Sequence, residues 1–98
     1  MEGRAMTTDF DASVWDALAD TQQEAANLKA RSALLYAIRQ AVQRWDLPQG
    51  EAAKRLGLTR PRTNDLLRGK LAKFSLDALV NIAASAQLEI EICVKDAA

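Results

Sequence analysis

Three side chains suited to reading the edges of flat, hydrogen-bonding groups stand close together: Arg60, Arg62 and Asn64, with Thr59 just ahead of them. The planar fork of arginine matches the two acceptors on the major-groove edge of guanine. The amide of asparagine matches the acceptor and donor of adenine. Arg68, Lys70 and Lys73 follow shortly after, and cations of that kind suit phosphate. Residues 54–73 hold seven basic side chains against Asp65 alone, a net of +6. A basic run is often no more than a solvated face. Here the charges fall on one short motif that also carries base-matching side chains, which points to contact with the major groove of duplex DNA.

The rest of the chain narrows the alternatives. Its 98 residues make one small domain with room for a modest core. The overall charge is zero, and residues 1–28 carry one basic and six acidic side chains, a net of −5. Such asymmetry within a small chain suggests two surfaces with different partners. There is one cysteine, Cys93, and no histidine. An intramolecular disulfide is therefore impossible, and a zinc site lacks its ligands. No serine or cysteine has a histidine to activate it, so an enzyme is not expected, nor is a cofactor. No apolar run reaches the length of a membrane span, and no apolar core of a signal peptide follows Met1 or Met6, either of which can serve as initiator. The expected location is cytoplasmic, with no membrane partner.

These side chains need elements to position them. Val14, Trp15 and Leu18 have helical spacing behind Ser13, which predicts a short helix in an acidic arm over residues 1–20. Thr21 to Trp45 contains neither glycine nor proline, and Thr21 and Glu24 have capping-box spacing. Leu28, Leu35 and Val42 recur every seven residues, as do Arg31, Ile38 and Trp45, giving one broad stripe along a long helix. Asp46-Leu47-Pro48 breaks it. A short helix is expected from about Pro48 to Leu56, ended by Gly57. Thr59 caps the next, with Pro61 in its first turn and Gly69 beyond its end. Ser75 caps a further helix through Leu76, Leu79, Val80, Ile82 and Ala83.

The tail changes period. Leu88, Ile90, Ile92 and Val94 alternate with Glu89, Glu91, Cys93 and Lys95, the pattern of a half-buried strand. One strand cannot satisfy its own backbone, and residues 1–87 offer no second. Pairing with the same strand of another copy is the simplest solution, with Leu88, Ile90, Ile92 and Val94 as the dimerisation residues.

The centre of the chain meets the demands of a helix-turn-helix. Gly57 supplies the turn, Ala53 lets the two helices cross closely, and Leu56, Leu58 and Leu66 fill the crevice between them. The second helix is then free to enter the major groove.

At Ala52-Ala53-Lys54-Arg55-Leu56-Gly57-Leu58-Thr59-Arg60-Pro61-Arg62, Asp65-Leu66-Leu67-Arg68-Gly69-Lys70 and Phe74-Ser75-Leu76-Asp77 the sequence resembles the Cro/repressor-type (XRE) helix-turn-helix proteins. Together with Val14-Trp15-Asp16-Ala17-Leu18, these residues are similar to the small HigA-like antitoxins of toxin–antitoxin modules. The resemblance implies a helical DNA-binding domain, often dimeric, with Gln49 and the start of its helix touching phosphate. One position departs from it: Thr63 stands where the family usually has a core aliphatic residue. Thr63 is therefore expected to be buried, its hydroxyl bonded back to the carbonyl of Thr59.

The expectation is a mainly α fold of about five helices containing a helix-turn-helix, with one C-terminal β-strand paired across a dimer. It has three parts: residues 1–20 as an acidic arm, 21–87 as the DNA-binding domain, and 88–98 as strand and tail. Gln49, Thr59, Arg60, Arg62, Asn64, Arg68 and Lys70 are the expected DNA-binding residues. The expected partners are a palindromic operator in double-stranded DNA, a second copy of the chain, and a basic ribonuclease-type toxin. The expected role is an antitoxin that represses its own operon. Alternatives are a stand-alone XRE-type regulator and a helical interaction module that binds no DNA.

Overall fold

The computed structural model describes residues 21–96. Within them lie four α-helices: α1 (Gln22–Trp45), α2 (Gln49–Leu56), α3 (Arg60–Leu67) and α4 (Leu76–Ser85). A three-residue 3₁₀ turn, Leu71–Lys73, connects α3 to α4. The chain divides into two compact units, residues 1–30 and 31–98. Of the first, the described part is the opening of α1, where the Thr21 hydroxyl accepts the Glu24 amide at 2.9 Å. The acidic arm and its short helix fall on residues 1–20, outside the described residues.

Side-chain chemistry sets the helix ends of the second unit. The first amides of a helix have no partner within it, and a hydroxyl at the N-cap supplies one, worth about 1 kcal/mol. Thr59 does this for the Arg62 amide and Ser75 for the Ala78 amide, at 3.2 and 3.1 Å. The far ends close by paired bonds around a residue of positive φ. At the end of α2, Gly57 (φ 71°) donates to Lys54 and Leu58 donates to Ala53. At the end of α3, Gly69 (φ 76°) donates to Leu66 and Lys70 to Asp65. Pro48 is not inside α2 but caps it, its carbonyl accepting from Glu51 and Ala52 at 3.0 Å.

The core forms where the apolar stripes of these helices meet. Ile38 of α1, Leu56 of α2, Leu66 of α3, Leu79 of α4 and Phe74 from the loop are all almost wholly buried. Each removes a full apolar side chain from water, worth about 1.5–3 kcal/mol. Ala52 and Ala53 are buried on α2, where larger side chains would hold α3 away. Along α1 the buried stripe begins at Leu35, while Leu28 is exposed.

The C-terminal strand expected over Leu88–Val94 is not formed in the single chain. Residues 88–96 carry no regular secondary structure, and Ile92 and Val94 are 82% and 86% exposed. The physical reason is the one that singled the segment out. An isolated extended segment has no ladder partner, and no strand exists among the described residues. Only Leu88 turns inward, packing against the core.

Candidate nucleic-acid interface

The two faces of α3 differ sharply. Thr63 and Leu66 are fully buried, which fixes the rotation of the helix against α2. Arg60, Pro61, Asn64 and Arg68 then lie exposed on the opposite side. Residues 60, 64 and 68 recur every four positions, so their side chains line one face. The outward face of the second helix thus presents a guanidinium, an amide and a second guanidinium in succession.

α2 adds to this face. A Cβ placed on Gly50 would sit 3.9 Å from the Arg60 Nε, so the Arg60 side chain passes over the first turn of α2. Gln49 is beside it, half-buried. No side chain caps this helix start, because Pro48 has none to offer. Free amides at a helix N-terminus favour an anion. Thr59, Arg60, Gln49 and the start of α2 are therefore brought together. Farther along α2, Arg55 stacks on the Trp45 ring at 4.6 Å and Lys54 pairs with Glu51 at 3.8 Å.

Arg62 is placed differently. It is half-buried on the side of α3 that turns toward α4, where it lines an open groove of about 280 Å³ with Leu58, Asn81 and Ile82. Its Nη1 donates to the Lys73 carbonyl at 2.8 Å, and its guanidinium lies 4.1 Å from the centroid of the Phe74 ring. Both interactions are of the kind a guanidinium makes strongly.

Asp65, the one acid in the motif, stands three residues from both Arg62 and Arg68, but its ion-pair partners are lysines farther along the chain. Its carboxylate meets Lys70 at 3.5 Å and Lys73 at 3.7 Å. The two lysine side chains stay 44% and 57% exposed, so their ammonium groups remain open to solvent while being drawn to one place.

Sequence reasoning missed Arg31. Its Nη1 approaches the carbonyls of Leu71 and Phe74 at 3.3 and 3.4 Å, forty and forty-three positions along the chain. The signal was present: Arg31 occupies the same seven-residue register as buried Ile38 and half-buried Trp45, where a charged side chain needs a partner. Of the residues expected to pair across a dimer, Ile90 is 38% exposed, and Ile92 and Val94 more so. Among the described residues no cluster of acids or cysteine can hold a metal, and no helix is long and apolar enough to cross a membrane.

A solved structure described as an XRE family transcriptional regulator is similar to this chain. The two share 29% identity over 74% of this chain and 82% of the other, with a TM-score of 0.68. A search of curated proteins finds no match. Residues 17–95 match the model of a helix-turn-helix domain family. That span takes in all four helices and most of the tail, and the chain belongs to this helix-turn-helix family.

Proposed function

We propose that the protein is a sequence-specific DNA-binding transcriptional regulator, acting by binding rather than by catalysis. One observation carries this reading. α3 buries Thr63 and Leu66 and leaves Arg60, Asn64 and Arg68 on its outward face, the disposition a recognition helix needs to enter the major groove. Membership of the helix-turn-helix family and the likeness to an XRE family regulator support it. The test is selection of bound duplexes from a random pool, followed by retention measured against salt. Binding should fall steeply as salt rises, since released counterions drive the phosphate contacts. Retention of no duplex would leave a helical interaction module as the better reading.

The functional unit in this reading is a homodimer. Alternation over Leu88–Val94 and the exposure of Ile90, Ile92 and Val94 support an antiparallel ribbon between two copies. A two-fold axis there would hold two copies of α3 about 34 Å apart and match a palindromic operator.

The biological role that fits best is an antitoxin repressing its own operon. The sequence resemblance and the separation of an acidic N-terminal region from a basic motif support it. Carboxylates in that region suit a basic, ribonuclease-type toxin whose site normally receives RNA. A small basic gene beside this one, whose product co-purifies with the chain, would establish the pair. A gene standing alone would favour an independent regulator.

A further inference from the structure

The segment from Lys70 to Phe74 makes little backbone structure of its own. Its three-residue 3₁₀ turn closes with two bonds, from the Lys73 amide to the Lys70 carbonyl and from the Phe74 amide to the Leu71 carbonyl, and leaves the Lys73 and Phe74 carbonyls outside it. Side chains take them instead. Arg62 binds the Lys73 carbonyl at 2.8 Å and covers the Phe74 ring. Arg31 reaches the Leu71 and Phe74 carbonyls from α1. Asp65 draws in the ammonium groups of Lys70 and Lys73. Two of these three anchors, Arg62 and Asp65, stand three residues apart on α3, the helix whose other face carries Arg60 and Asn64.

Resting on the DNA-binding reading above, we propose that Arg62 is a positioning residue. It reads no base. It locks the Lys70–Phe74 segment to α3, so that the base-facing side chains and the two phosphate-facing lysines move as one body. Its guanidinium is already committed. Forking onto a guanine edge would require it to leave both the Lys73 carbonyl and the Phe74 ring. A lysine in its place would keep the charge but lose the planar group that stacks and donates along fixed directions. Lys70 and Lys73 alone have long, flexible stems, and an ordered backbone beneath them reduces the freedom that must be lost on meeting phosphate.

The test uses the duplex that the full-length wild-type chain selects from a random pool. Affinity is measured over a salt series for wild type, Arg62→Lys, Arg62→Ala, Phe74→Leu and Lys70→Ala/Lys73→Ala, with circular dichroism confirming the fold of each. Phe74→Leu removes the ring beneath the guanidinium while keeping an apolar side chain in the core, and serves if Arg62→Ala fails to fold. Both Arg62 variants and Phe74→Leu should weaken all duplexes alike, with base preference unchanged. The salt slope should become shallower by about 1 for each lysine whose phosphate contact is lost. Adding Lys70→Ala/Lys73→Ala to Arg62→Ala should then change little. A shift in preference at a defined base pair in Arg62→Ala would overturn the proposal, showing direct reading. Full affinity and slope in Arg62→Lys would also overturn it, as would effects of Arg62 and the lysines that simply multiply. Wild-type chain that selects no duplex at all would instead overturn the DNA-binding reading, and the positioning role with it.

Discussion

The hydroxyl of Thr63 donates to the carbonyl of Thr59 at 2.8 Å, one turn back along the same helix. That carbonyl already accepts the Thr63 amide at 2.9 Å, so the side-chain bond serves mainly to satisfy a hydroxyl that has been taken wholly out of water. A polar group at the centre of a helix contact is tolerated because its partner is local.

Replacing that hydroxyl should therefore stabilise the fold. Thr63→Val keeps the branched shape, puts a methyl where the hydroxyl was, and leaves Thr59 satisfied by the backbone. We expect a gain of up to about 1 kcal/mol in urea unfolding. Thr63→Ala removes packing as well and should lose about 1–2 kcal/mol. An order reversed between the two would mean that the back-bond holds α3 in shape.

Gly57→Ala tests the turn. A Cβ there would meet nothing within 4 Å, so the cost is that of the left-handed backbone alone, about 1–2 kcal/mol. Gly69→Ala should cost a similar amount. Its Cβ would come within 3.3 Å only of the tip of Arg39, a flexible side chain that can swing aside. Asparagine at either position should be milder. Chemical denaturation of the four variants gives the comparison.

These local features were legible in the sequence because their partners are close in it. Thr59 and Ser75 cap amides three residues on, Gly57 and Gly69 end helices, and Thr63 bonds one turn back. What was not legible depends on tertiary packing. Arg62 finds a carbonyl eleven residues away and Arg31 one forty residues away. Asp65 passes over its helical neighbours for lysines beyond the end of α3. Position after the turn singled out Arg60, Arg62 and Asn64 together, but not that Arg60 and Asn64 are exposed while Arg62 turns toward Phe74. In the tail, alternation identified a strand-forming pattern without the second strand on which formation depends.

The reading face gives a third expectation. Arg60→Ala and Asn64→Ala should each cost about 1–3 kcal/mol on the selected duplex and relax preference at one base pair. Arg68→Ala should weaken every duplex equally. Competition binding against a panel of single-site operator changes distinguishes the two patterns. Selectivity unchanged in both Arg60→Ala and Asn64→Ala would remove α3 from direct readout.

A fourth concerns assembly. Ile90→Pro removes a backbone donor from the centre of the tail. We expect sedimentation equilibrium to give a dimer for the wild type and a monomer for the variant, with helix content unchanged. A dimer that survives the substitution would place the contact elsewhere.

The tail's want of a partner strand among the described residues would also separate two clocks, were two copies to pair through it as proposed. α2 packs on α3 and α4, elements that follow it closely in sequence, and short-range topologies of this kind fold in milliseconds or less. That step is unimolecular and indifferent to concentration. The proposed pairing of two tails would be second order, so its half-time would lengthen as protein becomes scarce. At low expression, newly made chains would be folded long before they were paired, and an operator that demands two copies of α3 would respond to the square of their number.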